Sequence, residues 1–426
     1  MIMVSVDDHI VEPPTMFDNH LTAEQKTFAP RMERDEEGKD FWIYEGMRLP
    51  QIGLNAVAGR VPEEFGCEPS SLDQMRPATY DVNARVDDMN VNGILASMNF
   101  GSFVGFEGST FLGAKDKNQA LTVLQAYNDW HIDEWCGSHP GRFIPLAILP
   151  LWDVQAMVAE VKRVRAKGCH AVSFSDNPTA KGLPSIHSDY WEPFWAVCAE
   201  NEIVICNHIG TGNAPPHPSM ESPIDAWIIG MPISISISAA DWLHLGALHR
   251  YPNLKIALSE GGIGWIPYFL ERADFTHSHH KAWTNADFGN KLPSDVFREH
   301  FYTCFIDDKF GVQNRHAVGI DTMMYESDYP HSDSLWPYAP EVLFESMRDV
   351  PDVEVDKMTH LNAMKAFYFD PFSILGRGNC TVGALRAKAL HVDVSLKSYN
   401  GPRPIEIGEK RKVTSGDISR MFADFA

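Results

Sequence analysis

Two acidic residues and a histidine stand close together near the start of the chain. Asp7, His9 and Glu12 follow an apolar run that is typical of a buried strand. Because side chains alternate along a strand, Asp7 and His9 point to one face, and Glu12 follows where the chain leaves the strand. Carboxylates and an imidazole at this spacing suit a divalent metal ion. Taken alone, the D-x-H pattern is also compatible with a simple turn.

Three further strand-like runs end in residues of the same chemistry. His208 ends one run, Glu260 ends the next, and Asp328 and His331 follow a third. Each has an ordinary structural interpretation, as a hydrogen-bonded histidine, a helix-capping carboxylate or a turn former. Their recurrence at four strand ends favours one shared metal site. We expect the catalytic residues to be Asp328, His331 and His208.

These side chains can meet only if the C-terminal ends of their strands lie together. Short apolar runs alternate with longer helical patterns, which indicates repeated βαβ units. Eight such strands predict an α/β fold, a closed (β/α)8 TIM barrel, in which chemistry lies at the C-terminal strand ends. The predicted strands are Met3–Asp7, Ile94–Asn99, Phe143–Leu149, Ala171–Ser175, Ile203–Asn207, Leu254–Ser259, Tyr302–Ile306 and Thr322–Glu326. The predicted helices are Asn118–Gly137, Asp153–Lys167, Tyr190–Glu200, Ile233–Tyr251, Gly264–Phe275 and Pro340–Asp349.

Two regions do not fit the alternation. Residues 13–80 form a long insertion after strand 1, rich in Pro, Gly and acidic residues, which we expect over the catalytic face as a lid or dimer arm. Residues 376–426 form a C-terminal extension, wrapped on the barrel or on a neighbouring subunit, or partly disordered. The predicted organisation is therefore a barrel over residues 1–375, with 13–80 as its lid, followed by the extension.

Composition narrows the class of partner. The chain is 44% hydrophobic with a formal net charge of -21 and no basic run, so nucleic acid and anionic membranes are poor partners. Its start lacks a secretion signal, and no unbroken apolar stretch reaches the ~18 residues of a membrane span. Seven cysteines without CxxC pairs argue against a disulfide framework. We predict a soluble, cytoplasmic protein that acts on a small molecule.

Several segments give the chain a resemblance to a known family. It resembles the amidohydrolase-related family that includes aminocarboxymuconate semialdehyde decarboxylase and the dihydroxybenzoate and resorcylate decarboxylases. The resemblance covers residues 1–372. It is carried by Arg142–Ala147, Trp191–Trp195, Asn207–Gly210, Arg250–Lys255, Gly319–Asp321, Ser327–His331 and Asn362–Ala363. The segment Glu260–Pro267 suggests a branch that is common among bacterial members.

The resemblance implies a divalent ion held by residues of strands one, five and eight. Carried over by position, the ligands are Asp7, His9, His208 and Asp328. The chain departs from the family pattern twice. The usual H-x-H or E-x-H has an aspartate at its first position, and Glu260 replaces the strand-six histidine of H-x-G-G. Both departures weaken a direct transfer of a zinc mechanism.

The resulting ligand set is rich in oxygen donors. It combines four carboxylates with two imidazoles, and hard oxygen ligands shift the preference from Zn toward Mn, Fe or Mg. Six ligands exceed the needs of one tetrahedral ion, so one or two divalent ions, Zn, Mn or Fe, are expected. The metal ligands predicted from the sequence are Asp7, His9, Glu12, His208, Glu260 and Asp328.

Three functions stay open at this point. The first is metal-dependent hydrolysis or non-oxidative decarboxylation of a small, carboxylate-bearing substrate, with Asp328 handling water or a proton, and His331 and His208 as proton shuttles or substrate contacts. The second is a dinuclear non-haem Fe or Mn oxygenase, as some members of the broader family resemble, with Glu12 and Glu260 as extra or bridging ligands. The third is a catalytically silent partner of an active paralogue.

Partners and substrate contacts follow less directly from the sequence. A homodimer or higher oligomer, or pairing with a paralogous subunit, is expected because relatives of this kind are often dimers. Arg76 and Arg85 are candidates for neutralising a substrate carboxylate. Four apolar residues near predicted loop tips either line an apolar substrate pocket or pack in the ordinary core, and the sequence favours neither interpretation. They are Trp227, Trp265, Trp336 and Met231.

Overall fold

A computed structural model of the protein describes residues 1–423. All eight predicted barrel strands are present, and three further strands lie in the insertion. The strands are β1 (Val4–Ile10), β2 (Arg31–Arg34), β3 (Asp40–Tyr44), β4 (Met47–Leu49), β5 (Ala96–Gly101), β6 (Phe143–Ile144), β7 (Ala171–Ser175), β8 (Val204–His208), β9 (Lys255–Ser259), β10 (Phe301–Phe305) and β11 (Met323–Tyr325).

The barrel closes through two seams between its parallel ladders. One ladder runs in the order β1-β5-β6 and the other in the order β7-β8-β9-β10-β11. Ala147, just beyond β6, donates its N–H to Ala171 O at 3.1 Å and accepts from Ser173 N at 2.9 Å. Asp328 N donates to Asp7 O at 2.9 Å, which joins the last strand to the first. The predicted (β/α)8 barrel is therefore confirmed.

Helices surround the barrel, and some of their bounds differ from the prediction. Asp153 caps α3 (Val154–Ala166) as expected, because its side chain accepts from Gln155 N and Ala156 N. The predicted helix Ile233–Tyr251 is instead two helices, because a turn at residues 244–246 separates them. The helices are α1 (Val82–Val91), α2 (Lys117–Asp129), α3 (Val154–Ala166), α4 (Glu192–Glu200), α5 (Ile224–Leu243), α6 (Ala247–Arg250), α7 (Ile266–Thr284), α8 (Pro293–His300), α9 (Lys309–Gln313), α10 (Arg315–Val318), α11 (Ala339–Met347), α12 (Asp352–Asp356), α13 (Asn362–Ala366), α14 (Pro371–Leu375), α15 (Val382–Arg386) and α16 (Ser415–Ala423).

The barrel strands are buried on both faces. One apolar cluster fills the space between strands and helices, and a smaller one fills the barrel interior. The interior cluster includes Val4, Met98, Val204, Cys206 and Cys304. Such two-sided burial explains why the strand sequences are continuous apolar runs without alternation. The same packing fixes the direction in which each strand-end side chain points.

The insertion lies against the loop that follows β11. Val57 N and Ala58 N both donate to Pro330 O at 2.9 Å. Asn55 Nδ2 donates to Ser332 Oγ at 2.9 Å. Since this loop leaves the C-terminal end of the barrel, the contacts fit the predicted place of residues 13–80. The division of the chain into domains stays a prediction.

The C-terminal extension lies on the same chain's insertion and on the start of α5. Lys397 N donates to Gly59 O at 2.9 Å, and Val61 N donates to Lys397 O at 3.2 Å. Farther on, Ser415 N donates to Ser222 O at 2.9 Å. Residues 424–426 of the predicted extension lie outside the described residues. A contact between subunits stays a prediction.

Among the described residues, α5 is the helix that is long and apolar enough to cross a membrane by length and composition. An 18-residue window reaches a mean hydropathy of 1.3 with a third of it buried, although serines interrupt its apolar run. Its C-terminal half packs on the barrel, where Trp242 Nε1 donates to Asp176 O at 2.8 Å. Core helices of globular proteins meet the same criterion, so length and composition are weak evidence for a membrane span.

Candidate metal centre

The predicted strand-end residues meet at the C-terminal end of the barrel. Asp7 and His9 lie on β1, His208 ends β8, Glu260 directly follows β9, and Asp328 lies in the loop after β11. Two sets of possible ligand atoms each lie within 4.8 Å of one another. One set comprises His9, Glu260, Asp328 and His331, and the other comprises Asp7, His9 and His208.

Distances within the cluster are short. His208 Nε2 lies 3.0 Å from Glu260 Oε2 and 3.5 Å from Asp7 Oδ2. His9 Nε2 lies 3.3 Å from Asp328 Oδ1. Asp328 Oδ1 in turn lies 2.8 Å from a ring nitrogen of His331. Asp328 and Asp7 therefore occupy two sides of one compact cluster of imidazoles and carboxylates.

Many polar atoms of the cluster have no hydrogen-bond partner. Among the carboxylates, these atoms are the two oxygens of Asp7 and the two oxygens of Asp328. Among the imidazoles, they are the two ring nitrogens of His9 and the Nε2 atoms of His208 and His331. Asp7, His9 and Asp328 are buried to 1% exposure or less. Leaving buried polar atoms unpaired costs about 1–3 kcal/mol each, and more for charged groups. A divalent ion would satisfy these atoms, so the residues present fit a metal.

The backbone is held in an unusual conformation at two of the carboxylates. Glu260 has φ +58° and Asp328 has φ +51°, the left-handed region that non-glycine residues seldom adopt. Glu260 N donates to Glu326 Oε2 at 3.1 Å. Such conformations cost on the order of 1–3 kcal/mol and concentrate at functional sites. Both carboxylates thus reach the cluster through a turn that their neighbours stabilise.

His208 is oriented as a ligand. Its Nδ1 lies 2.6 Å from Ile209 O, which places the ring proton on Nδ1 and turns the Nε2 lone pair toward Asp7 and Glu260. Burial disfavours the charged ring, but the carboxylates of Asp7 and Glu260 nonetheless raise the pKa of His208 well above its usual value. The pocket therefore attracts positive charge at this nitrogen, as a metal site does.

Burial shifts the pKa values of Asp7 and His9, the two β1 residues of the cluster, in opposite directions. Burial raises the pKa of Asp7 to about 6, against the lowering effect of His208. Burial and the neighbouring His331 lower the pKa of His9 well below its usual value, so its ring is neutral and can offer a lone pair. A neutral imidazole beside a desolvated carboxylate suits a bound cation.

Glu12 and the two candidate arginines are directed elsewhere. Glu12 Oε2 accepts from Phe103 N at 2.8 Å, and Glu12 belongs to none of the possible ligand groups among residues 1–423. Arg76 donates to both oxygens of Asp88 at 2.7 and 2.8 Å. Arg85 Nε donates to Ala78 O at 2.7 Å. The structure therefore gives Glu12 and both arginines structural partners.

Three residues beside the cluster were not predicted from the sequence. Cys304 on β10 and Glu326, directly after β11, form a third group of possible ligands together with Asp7. The carboxylate of Glu326 inside an apolar run was the available signal, whereas Cys304 looks like any buried cysteine. The third residue is Phe106, whose ring centroid lies 4.1 Å from that of His208 and 4.9 Å from that of His9.

Access to the cluster lies on the side of Glu260 and His331. Glu260 retains 20% exposure and His331 retains 11%, in contrast to the buried Asp7 and His9. Phe106 is half-buried and covers two of the imidazoles from the loop after β5. A small molecule would therefore approach between an aromatic ring and the Glu260 carboxylate.

Comparison with known proteins gives consistent matches. Residues 76–369 match the sequence model of the Amidohydrolase family. A 2-amino-3-carboxymuconate-6-semialdehyde decarboxylase of Dictyostelium discoideum is 23% identical over 261 residues, 59% of this chain and 68% of the relative. A gamma-resorcylate decarboxylase of Rhodococcus jostii is 23% identical over 314 residues, 68% of this chain and 87% of the relative.

A solved structure shares the fold. The 5-carboxyvanillate decarboxylase of Novosphingobium aromaticivorans, complexed with manganese and 4-hydroxy-3-methoxy-5-nitrobenzoic acid, matches with a TM-score of 0.59 at 18% identity. The match covers 86% of this chain and 96% of that one. With the family match across most of the barrel, these findings confirm the resemblance predicted from the sequence. The chain belongs to the Amidohydrolase family and is an enzyme of the hydrolase or decarboxylase type.

Proposed function

We propose that this enzyme catalyses the non-oxidative decarboxylation of a small aromatic carboxylate. Its divalent ion would be held by Asp7, His9, His208 and Asp328, with Glu260 as a further ligand. The observation that carries the proposal is the pair formed by Asp328 Oδ1 and His331 Nδ1 at 2.8 Å, at the edge of the cluster that solvent can reach. The carboxylate-rich ligand set favours Mn or Fe over Zn.

The chemistry assigns a separate task to each group. When bound, the divalent ion supplies a Lewis acid that polarises a substrate oxygen. The Asp328 carboxylate, 2.8 Å from Nδ1 of His331, stabilises the protonated ring, whose Nε2 is directed away from Asp328. The bond between the substrate carbon and its carboxylate breaks, the electron pair stays on carbon, and carbon dioxide leaves. The proton on Nε2 of the His331 imidazolium then forms the new C–H bond, and solvent restores it.

Burial of the site supports this assignment. Asp7, His9 and Asp328 are screened from solvent, and Phe106 covers part of the remaining opening. Excluding water strengthens the electrostatic interactions inside and protects a carbanion-like centre from uncontrolled protonation. The partly exposed His331 is then the proton donor nearest to the entrance. The decarboxylase relatives support the same reaction class.

Hydrolysis uses the same residues differently. Asp328 would orient or deprotonate a water molecule, and His331 would protonate the leaving group. The two reactions differ in their products, since only decarboxylation releases carbon dioxide. A complete ligand set argues against the third possibility, a catalytically silent partner subunit.

A dinuclear Fe or Mn oxygenase is the second candidate function. The observation in its favour is the number of possible ligands, which exceeds the needs of one ion. Glu260 is available for this role, whereas Glu12 is bonded to Phe103 N. An oxygenase consumes dioxygen in proportion to product. Full turnover under strict anaerobiosis would exclude this candidate.

We also propose that the protein is a homodimer or a higher homo-oligomer. The support is an exposed apolar stripe on α5, where Ile229, Ile233 and Ile237 are 66%, 50% and 63% exposed at four-residue spacing. Apolar side chains aligned along one helix face are typical of contact surfaces. Light scattering of the wild type and of the double variant I233E/I237E tests this, and an unchanged mass would contradict it. The cytoplasmic location stays a prediction.

The decarboxylase proposal is tested by direct assay of carbon dioxide release. Mn-loaded enzyme is incubated with 5-carboxyvanillate, gamma-resorcylate and related hydroxybenzoates, in air and anaerobically. We expect carbon dioxide release that is independent of oxygen and falls by about 100- to 10,000-fold in His331→Gln, because proton transfer from a positioned side chain contributes that much. His279→Gln, an exposed histidine on α7, is the control. Wild-type activity in His331→Gln would contradict the assigned role.

A further inference from the structure

We propose that a second divalent cation binds deeper in the barrel, between Asp7, Cys304 and Glu326. These residues come from three neighbouring strands, β1, β10 and β11, in the closed barrel. One ligand atom from each lies within 4.8 Å of the other two. The site is on the inner side of the cluster described above and shares only Asp7 with it.

The site is built from buried donors. Asp7, Glu326 and Cys304 are 0%, 1% and 2% exposed. Both carboxylate oxygens of Asp7 lack a hydrogen-bond partner. Glu326 Oε2 lies beside Cys304 Sγ and accepts one backbone N–H, from Glu260. Within residues 1–423, neither Asp7 nor Glu326 forms an ion pair with lysine or arginine. Asp7 meets the His208 ring at 3.5 Å, but Glu326 has no ion-pair partner among residues 1–423, and a buried carboxylate without one either stays protonated or needs a bound cation.

Ligand number and charge both point to two ions. The group formed by His9, Glu260, Asp328 and His331 shares no residue with the deeper group, so both can be filled at once. The two groups together hold four carboxylates, those of Asp7, Glu260, Glu326 and Asp328. With Cys304 as a thiolate the two groups carry five negative charges, of which one divalent ion would neutralise only two. Asp7 then lies between the ions with one oxygen available to each.

The donors define the class of ion. A thiolate with two carboxylates suits a borderline-soft divalent ion such as Zn²⁺ or Fe²⁺, whereas Mg²⁺ and Ca²⁺ prefer oxygen donors alone. The outer group, with imidazoles and carboxylates, has no thiolate. The two positions would thus differ in their preference for metals.

Cobalt(II) is the probe that separates the two positions. A thiolate bound to Co²⁺ gives a charge-transfer band in the near ultraviolet, and the outer group cannot produce one because it has no sulfur. Full-length protein is loaded with Co²⁺, and its metal content and absorbance are measured for wild type, Cys304→Ser and Cys206→Ser. Cys206 is a matched control because it lies in the same interior cluster but belongs to no ligand group.

The expected result is two equivalents of Co²⁺ and a thiolate band in wild type and in Cys206→Ser. Cys304→Ser should lose the band and fall to one equivalent, and Glu326→Gln should also fall to one equivalent. Circular dichroism checks that each variant is folded. A wild type that binds one equivalent without a thiolate band would overturn the proposal, and so would a band that persists in Cys304→Ser. Neither readout depends on catalysis, so failure of the decarboxylase proposal leaves this test intact.

Discussion

Two buried charged regions lie on opposite sides of β1, and they handle charge in different ways. Outside the barrel, Arg76 donates to both oxygens of Asp88, and Tyr329 Oη donates to Asp88 Oδ2 at 2.7 Å. Inside the barrel, neither carboxylate oxygen of Asp7 has a hydrogen-bond partner, and the Asp328 carboxylate meets only the imidazole rings of the same cluster. The first region satisfies its own charges and acts as structure. The second is incomplete without a ligand, and this distinguishes a functional site from a stabilising network.

The largest expected effect comes from removing a charge of the incomplete region. Replacing Asp328 with Asn should lower turnover by about 100- to 10,000-fold, because the change removes both a metal ligand and the partner of His331. The fold should persist, since among the described residues the Asp328 carboxylate pairs only with the rings of His9 and His331. Steady-state kinetics with metal analysis measure this effect. Unchanged turnover would place the chemistry elsewhere.

Removing a charge of the self-satisfied region should act on stability instead. Asp88→Asn leaves Arg76 buried beside a neutral amide, and breaking a buried pair costs about 3–5 kcal/mol. Chemical denaturation gives the free energy of unfolding, with the metal content expected to be normal. The control is Asp87→Asn, because the Asp87 side chain is 42% exposed and pairs with the exposed His391 at 3.3 Å. An equal loss of unfolding free energy in Asp88→Asn and Asp87→Asn would contradict the proposed structural role of the Arg76–Asp88 pair.

In metal-free protein, neutralising Asp7 should stabilise the fold. Burial raises the pKa of Asp7 to about 6 from an unfolded value of 3.8, so its ionisation opposes folding above pH 6 and has no effect below about pH 4. Asp7→Asn should therefore raise the free energy of unfolding by about 1–3 kcal/mol at pH 8. Denaturation at pH 4 and pH 8 measures the difference. A loss of stability at pH 8 would indicate that Asp7 is already paired.

The smallest effect concerns an exposed carboxylate with ordinary partners. Asp153 caps α3 by accepting two backbone N–H groups, and Asp153→Ala should cost about 1 kcal/mol. Asp153→Asn keeps an acceptor and should be nearly neutral. Thermal unfolding of the two variants provides the comparison. A larger loss in the Asn variant would show that charge, not hydrogen bonding, stabilises this helix end.

Most of the barrel could be predicted from the sequence, because its strands are apolar runs punctuated by turns. The strand-end positions of Asp7, His208 and Asp328 followed from those runs and from the rule that barrels carry chemistry there. The direction of Glu12 could not be predicted, because it depends on Phe103 N, a backbone donor in a distant loop. Cys304 was missed because a buried cysteine has no sequence feature that separates a ligand from core.

The helix bounds show the same limit. The serines of α5 hide its length in a search for unbroken apolar runs, and the helix begins at Ile224, nine residues before the predicted start at Ile233. Its exposed isoleucines could not be distinguished from core residues, since helical periodicity does not reveal which face a partner covers. The contacts of the C-terminal extension are likewise long-range and leave no local pattern.

The central claim is that the unpaired strand-end cluster holds a divalent metal. Elemental analysis of protein expressed with Zn, Mn and Fe all available tests this most directly, with Asp7→Asn and His208→Asn as variants and Asp87→Asn as the control. We predict at least one equivalent in wild type and in Asp87→Asn, and a loss of one equivalent or more in both cluster variants. A metal content that is the same in all four proteins, or wild-type protein that is active without metal, would contradict the account.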